Sequence, residues 1–175
     1  MALAVCLLFA PADERALRSL WRRVEEAGVP SMSSHTHGRH VPHLSYAVLR
    51  TFDVDAVRAA VSALPDGGPL TLHLNAVAAA PRGRVWLVPA ASAALVRRQE
   101  AVAEVTTTTP GADLHRHYLP GRWLPHVSVA PRARLVDLPV VADVSYAVLP
   151  LTVRADRAAL VDSATGERRP LDTVP

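Results

Sequence analysis

The stretch VPHLSYA at 41–47 returns as LPHVSVA at 124–130. Proline, histidine, serine and alanine fall in the same register, and the positions between them are apolar apart from Tyr46. With 8 His and 15 Pro in 175 residues, chance would give two such matches in about one shuffled chain per thousand. In an extended segment alternate side chains share a face. His43 and Ser45 therefore point one way while Leu44 points into a core, and His126 and Ser128 do the same about Val127. The proline before each histidine suits an edge strand or the first residue of a strand. A chain that delivers this strand twice is expected to fold as two similar lobes. If a pseudo-twofold relates them, the two His–Ser pairs face each other across a cleft.

The segments around the repeat support that division. Residues 2–10 read as a buried strand, and 11–28 as a helix with Pro11 in its first turn and Leu17, Leu20, Trp21 and Val24 on one stripe. Polar, aperiodic loops over 31–40 and 106–123 each lead into one copy of the repeat. A helix capped by Asp53, a hairpin around 81–83, a third helix over 91–105 and strands towards the C-terminus complete the order. SYAVL recurs at 145–149, with Asp143 where the histidine would stand, and is predicted to be an ordinary buried strand. Tyr46, Trp21 and Trp86 are placed in the core and His73 is read as structural. Strand-rich halves with helices outside predict an α+β fold, one domain over residues 1–175.

Composition narrows the chemistry. The chain has no lysine, so all 19 basic residues are arginine. That excludes a lysyl-adenylate nucleophile, a lysine Schiff base and the phosphate lysine of a P-loop. Arg116, Arg122, Arg132 and Arg134 lie between Leu114 and Leu135, a segment with no acidic residue, while Arg39 and Arg50 bracket the first repeat. Arginine forks match phosphate oxygens, so an anion-attracting cleft is expected. A lone Cys6 excludes an internal disulfide and fits a cytoplasmic protein. The apolar opening is too short to span a bilayer and is poorly built as a signal peptide, so no membrane association is expected.

Two opposed histidines can work as general base and general acid near neutral pH. One hydroxyl from each repeat can donate to non-bridging oxygens and hold the electrophile between them. The electrophile that suits this arrangement is a phosphodiester attacked in line, with neither metal nor cofactor required. At these residues the sequence resembles the 2H phosphoesterases, whose two His-apolar-Thr/Ser tetrads are matched by HLSY and HVSV. Among them it is most similar to the bacterial 2′-5′ RNA ligase-like, 2′,3′-cyclic phosphodiesterase branch. The resemblance covers nearly the whole chain. It implies a bilobal fold of two pseudo-symmetric antiparallel β-sheets forming a central cleft, with helices outside. It further implies catalytic roles for His43 and His126, phosphate binding by Ser45 and Ser128, and ATP-independent hydrolysis or reversible 2′,5′ ligation at RNA or nucleotide ends carrying a 2′,3′-cyclic phosphate. Both hydroxyls are serine here, where threonine is commoner. In many relatives an arginine follows the second tetrad, but Pro131 holds that register and Arg132 comes one residue later.

Arg39, His37, His117, Arg122, Trp123 and Arg132 stand as candidate substrate contacts, since the loops that carry them flank the repeats. His35, His37 and His40, like His115 and His117, have no cysteine beside them, and no metal site is assigned. The expected partners are RNA ends or small cyclic-phosphate nucleotides, acted on by a monomer. Phosphodiesterases for other cyclic nucleotides or oligonucleotides, and a non-catalytic RNA-binding module, are the competing readings.

Overall fold

A computed structural model describes residues 2–175. Its elements form one unit used twice. β1 (Leu3–Phe9), α1 (Pro11–Glu26), β2 (His43–Leu49), α2 (Val54–Ser62) and β3 (Leu70–Ala80) make the first. β4 (Arg84–Pro89), α3 (Ala93–Thr108), β5 (Val127–Ala130), α4 (Leu138–Tyr146) and β6 (Leu151–Asp162) make the second, and β7 (Arg168–Leu171) is added at the end. The fold is α+β, and every strand pairing is antiparallel.

The strands are exchanged between the units. β2 pairs with β1 and β1 with β6, whereas β5 pairs with β4 and β4 with β3. The third strand of each unit thus completes the half-sheet begun by the other. The two three-stranded halves join into one seven-stranded sheet, of order β1-β2-β5-β4-β3-β6-β7, where Leu44 of β2 pairs with Val127 of β5. They meet again along β6, which pairs with β3 over Leu151–Ala155 and with β1 over Ala155–Asp162. The helices cross in the same manner: α3 packs on β2 and beside α2, and α1 packs on β5 and beside α4.

Local sequence explains each piece. β1 is buried at all seven positions, so it reads as a continuous apolar run. α1 starts at Pro11 with Asp13 and Glu14 in its first turn, where acids suit the helix dipole. Its Leu17, Leu20, Trp21 and Val24 enter the main core. Asp53 caps α2 by accepting from the Asp55 and Ala56 N–H groups, and Ser92 caps α3 through Leu95 N–H. The hairpin that joins the units turns through Arg82 and Gly83, both at positive φ (68° and 72°). A Cβ at Gly83 would lie 2.1 Å from the Ala133 carbonyl oxygen, so glycine is needed there.

Two expectations are corrected. Ser145 and Tyr146 end α4 and do not form a strand. Val141 and Ser145, four residues apart, are both fully buried, which is the spacing of a helix face. The threonine run at 106–109 begins inside α3, not in the loop. Thr106 and Thr108 return their hydroxyls to carbonyls three and four residues back, which lets a β-branched run continue the helix.

Candidate active site

The Leu44–Val127 pair brings the middle residues of the two repeats side by side. Both side chains are fully buried in the core. An antiparallel register through that pair sets His43 across from Ser128 and Ser45 across from His126, all on the opposite face. The repeats are therefore neighbours in one sheet, closer than lobes merely facing across a gap.

Each histidine is held in the same way. His43 Nδ1 lies 2.7 Å from the Val41 carbonyl oxygen, and His126 Nδ1 lies 2.7 Å from that of Leu124. A carbonyl only accepts, so Nδ1 carries the proton in both rings and Nε2 is left for chemistry. The buried Pro42 and Pro125 fix the chain between each acceptor and its histidine.

Both strands bulge at the residue after serine. Ser45 pairs with Cys6 but Ala47 with Val5, leaving Tyr46 as the extra residue. Ser128 pairs with Trp86 but Ala130 with Val85, leaving Val129 extra. A bulge takes carbonyls out of the ladder, and buried carbonyls need donors. At β5, Trp21 Nε1 donates to the Ser128 oxygen (2.9 Å) and Met32 N–H to that of Val129 (3.0 Å). At β2, Trp123 Nε1 donates to the Ser45 oxygen (3.0 Å) and Gln99 Nε2 to that of Tyr46 (3.2 Å). In every case the donor belongs to the other unit.

Burial lowers the pKa of both histidines from the ordinary 6.5, and their bonds to backbone carbonyls offset part of that. Positive charge on His43 and on Arg84 lowers His126 further. At neutral pH both imidazoles are therefore neutral, each able to accept a proton at Nε2. Beneath Ser45, the Cys6 sulfur lies 3.5 Å from its hydroxyl, and burial pushes that thiol up to about 12. Tyr118 is also pushed up to about 12 by burial, with the Ser45 hydroxyl beside it pulling the other way.

Trp86 does not belong to the core, contrary to the expectation above. On β4, Val85, Leu87 and Pro89 are buried while Arg84, Trp86 and Val88 take the site face. The Trp86 ring stacks on His126 with centroids 4.2 Å apart and planes at 27°. The alternation in RVWLVP carries this signal, and the size of tryptophan obscures it. Tyr46 and Trp21 are core residues as expected, and exposed His73 bonds to Thr152 through Nδ1 (3.1 Å).

The other candidate contacts divide. Trp123 is half-buried behind β2, its ring 6.1 Å from that of Tyr46, so it packs and pins the strand and does not line the site. His117 and Arg122 are exposed on the loop after α3. Arg132 is exposed beyond β5, where its charge adds to burial in lowering the pKa of His35. His37 and Arg39 lie against the β6–β7 hairpin, Arg39 donating to the Thr165 carbonyl. His35 stacks on His40 and His37 lies tilted against it, and no group of three metal-ligating side chains is found among the described residues. No helix among them is long and apolar enough to cross a membrane.

The sequence profile of the 2′-5′ RNA ligase superfamily matches residues 14–167. Among solved structures the chain is similar to one described as a phosphoesterase, with a TM-score of 0.62 and 17% identity over 98% of this chain and 95% of that one. It is also similar to E. coli LigT complexed with NADP+ (TM-score 0.56, 20% identity, 97% of this chain and 94% of that one). E. coli LigT complexed with ATP superposes at a TM-score of 0.55, with 17% identity over 99% and 96% of the two chains. No curated protein sequence gives a significant match.

Proposed function

The chain belongs to the 2′-5′ RNA ligase superfamily, and from that premise we propose that it is a phosphodiesterase that opens 2′,3′-cyclic phosphates on RNA or nucleotide ends without a metal. The observation that carries this reading is the pair of identical Nδ1-to-carbonyl anchors. They support one proton acceptor and one proton donor on a single sheet face, with a serine hydroxyl beside each.

In the reaction, one Nε2 takes a proton from water as the water oxygen bonds to phosphorus. The P–O bond in line with it breaks, and the departing ribose oxygen receives a proton from the second Nε2–H. Ser45 and Ser128 donate to the non-bridging oxygens, where charge grows. The acid form arises when the phosphate anion binds, because a negative charge beside an imidazole favours its protonated state. The strained ring makes the cyclic phosphate a ready electrophile, and run backwards the same steps would join ends. Two similar structures hold nucleotides, which supports that ligand class. The chain works as one bilobal unit and as a monomer, because both repeats come from one chain, and its lone, buried Cys6 fits the cytoplasm.

The test is a panel of 2′,3′-cyclic mononucleotides, a cyclic-phosphate-ended RNA, a 2′,5′-linked dinucleotide and 3′,5′-cyclic nucleotides, incubated with excess EDTA. Phosphorus NMR identifies the product. Cleavage of the 2′,3′-cyclic substrates is expected; activity confined to 3′,5′-cyclic rings, or dependent on added metal, would overturn the reading.

A further inference from the structure

We propose that a cavity beside the His43 end of the site is a second anion subsite, which takes a further phosphate of the same substrate. This rests on the phosphodiesterase reading and adds a substrate class to it: a polynucleotide end or a nucleoside bearing a second phosphate, in preference to a plain cyclic mononucleotide.

The cavity, of about 460 Å³, lies between the middle of α1, residues 38–41 and the β6–β7 hairpin, and Arg18, Arg39, His40, Val41 and Arg168 line it. No carboxylate among the described residues lines it. Arg18 shares its charge with Glu14 at 2.9 Å, whereas Arg39 and Arg168 make no ion pair among the described residues. Three guanidinium groups lining one concave wall suit a phosphate, and a concave surface focuses their field.

The cavity wall is built, not incidental. The His37 ring sits so close to Gly166 that a Cβ there would fall 2.5 Å from its Cε1, and Gly166 is at φ 72°. His37 Nδ1 accepts the Arg39 N–H (3.0 Å), and the Arg39 guanidinium reaches the Thr165 carbonyl. Loop and hairpin are thereby seated on each other with Arg39 at the seam. His40 is kept neutral by burial and by the charges around it, His43 among them, at a pKa of about 4. It can bond to an anion without adding charge.

Position links the cavity to the chemistry. Val41 lines it, and the same residue's carbonyl oxygen holds His43 Nδ1. A phosphate at the His–Ser face and one in the cavity would lie on either side of a single residue of the protein.

The experiment measures binding of three unreactive ligands by calorimetry: a nucleoside 3′-monophosphate, a nucleoside 3′,5′-bisphosphate and a trinucleotide ending in a 3′-phosphate. Wild type is compared with Arg18→Gln/Arg168→Gln and with Arg168→Glu, each checked by thermal melting. The double variant should bind one or both multi-phosphate ligands about tenfold more weakly, with the monophosphate changed less than about twofold, and Arg168→Glu should show the same selectivity. The ligand that responds identifies whether the second phosphate belongs to the nucleoside or to the chain. The slope of log Kd against log salt should fall by about 0.7 for each phosphate that the variant no longer neutralises. Equal losses for all three ligands, or none, would overturn the subsite while leaving the His–Ser reading intact. Failure of wild type to bind any of them would overturn both.

Discussion

Beside Ser45 the neighbouring strand places Cys6; beside Ser128 it places Trp86. The first repeat thus rests on a small apolar floor of Ala4, Cys6, Leu8, Val41 and Ala159. The second is lined by an indole stacked on its histidine, with Arg84 two residues away on the same strand face. What the repeats share is backbone: the histidine anchor, the bulge after serine and the two carbonyls satisfied from the other unit. What differs is side chain. The backbone frame around the two histidines is symmetric and its lining is not, so under the proposed reaction substrate recognition is where the two halves would part.

Removing either histidine is the harshest test of the symmetric part. His43→Ala and His126→Ala should each lower turnover by about 10²–10⁴, the range for losing a general acid or base. Near-full activity in one of them would reduce the pair to a single working repeat. Next come the hydroxyls: Ser45→Ala and Ser128→Ala should cost about 10²–10³ in kcat if each donates in the transition state. A loss seen at one serine only would break the equivalence of the repeats at the phosphate.

The carbonyl pins test the frame without touching the chemistry. Trp21→Phe and Trp123→Phe should each destabilise the protein by about 1–3 kcal/mol, since each leaves a bulge carbonyl without its indole donor. Denaturant melts of the two variants should agree, and a neutral effect at one would show that water replaces that indole. Trp86→Leu probes the asymmetric part. It should lower activity by less than about tenfold and shift the His126 titration, followed by NMR, while leaving His43 in place. Equal movement of both histidines would mean that Trp86 acts through the fold.

The pH response has a definite sign. His35, His40, His43, His115 and His126 all have folded pKa values below 6.5. Below pH 6.5 the unfolded chain therefore binds more protons than the folded one, and stability must fall with pH. The melting temperature should be level above about pH 7 and decline from pH 6.5 towards 4, the value to which His40 is lowered. For the same reason the kcat/KM bell of the free enzyme should lie on the acid side of 6.5, and the kcat bell higher, because bound phosphate favours the imidazolium. Coincident bells would show that the phosphate leaves both histidines unchanged.

The repeat is legible because strand alternation is a local rule: His43 and Ser45 lie on the face opposite Leu44, as their spacing requires. The bulges are not, since nothing in HLSYA or HVSVA says that the residue after serine leaves the ladder; the neighbouring strands decide it. Trp86 is misplaced when size is weighed above alternation. At 138–146 an apolar β-branched run is overridden by Pro139 in a first helical turn and by a buried face spaced at four residues. The exchange of third strands and helices lies beyond local reading altogether, because it concerns which sheet an element joins and not which element it is.

That exchange has a consequence for what a half-molecule would be. Joined only by the hairpin at 81–83, the two βαβαβ units have the connectivity of a domain-swapped dimer closed into one chain. The first unit alone would keep β1 and β2 but lose β6 at one edge, α3 above and both donors to the Ser45–Tyr46 bulge. Its histidine would keep an anchor with no companion across the strand. The covalent link at Gly83 therefore sets the local concentration of each half for the other, and with it the occupancy of a site that neither half contains.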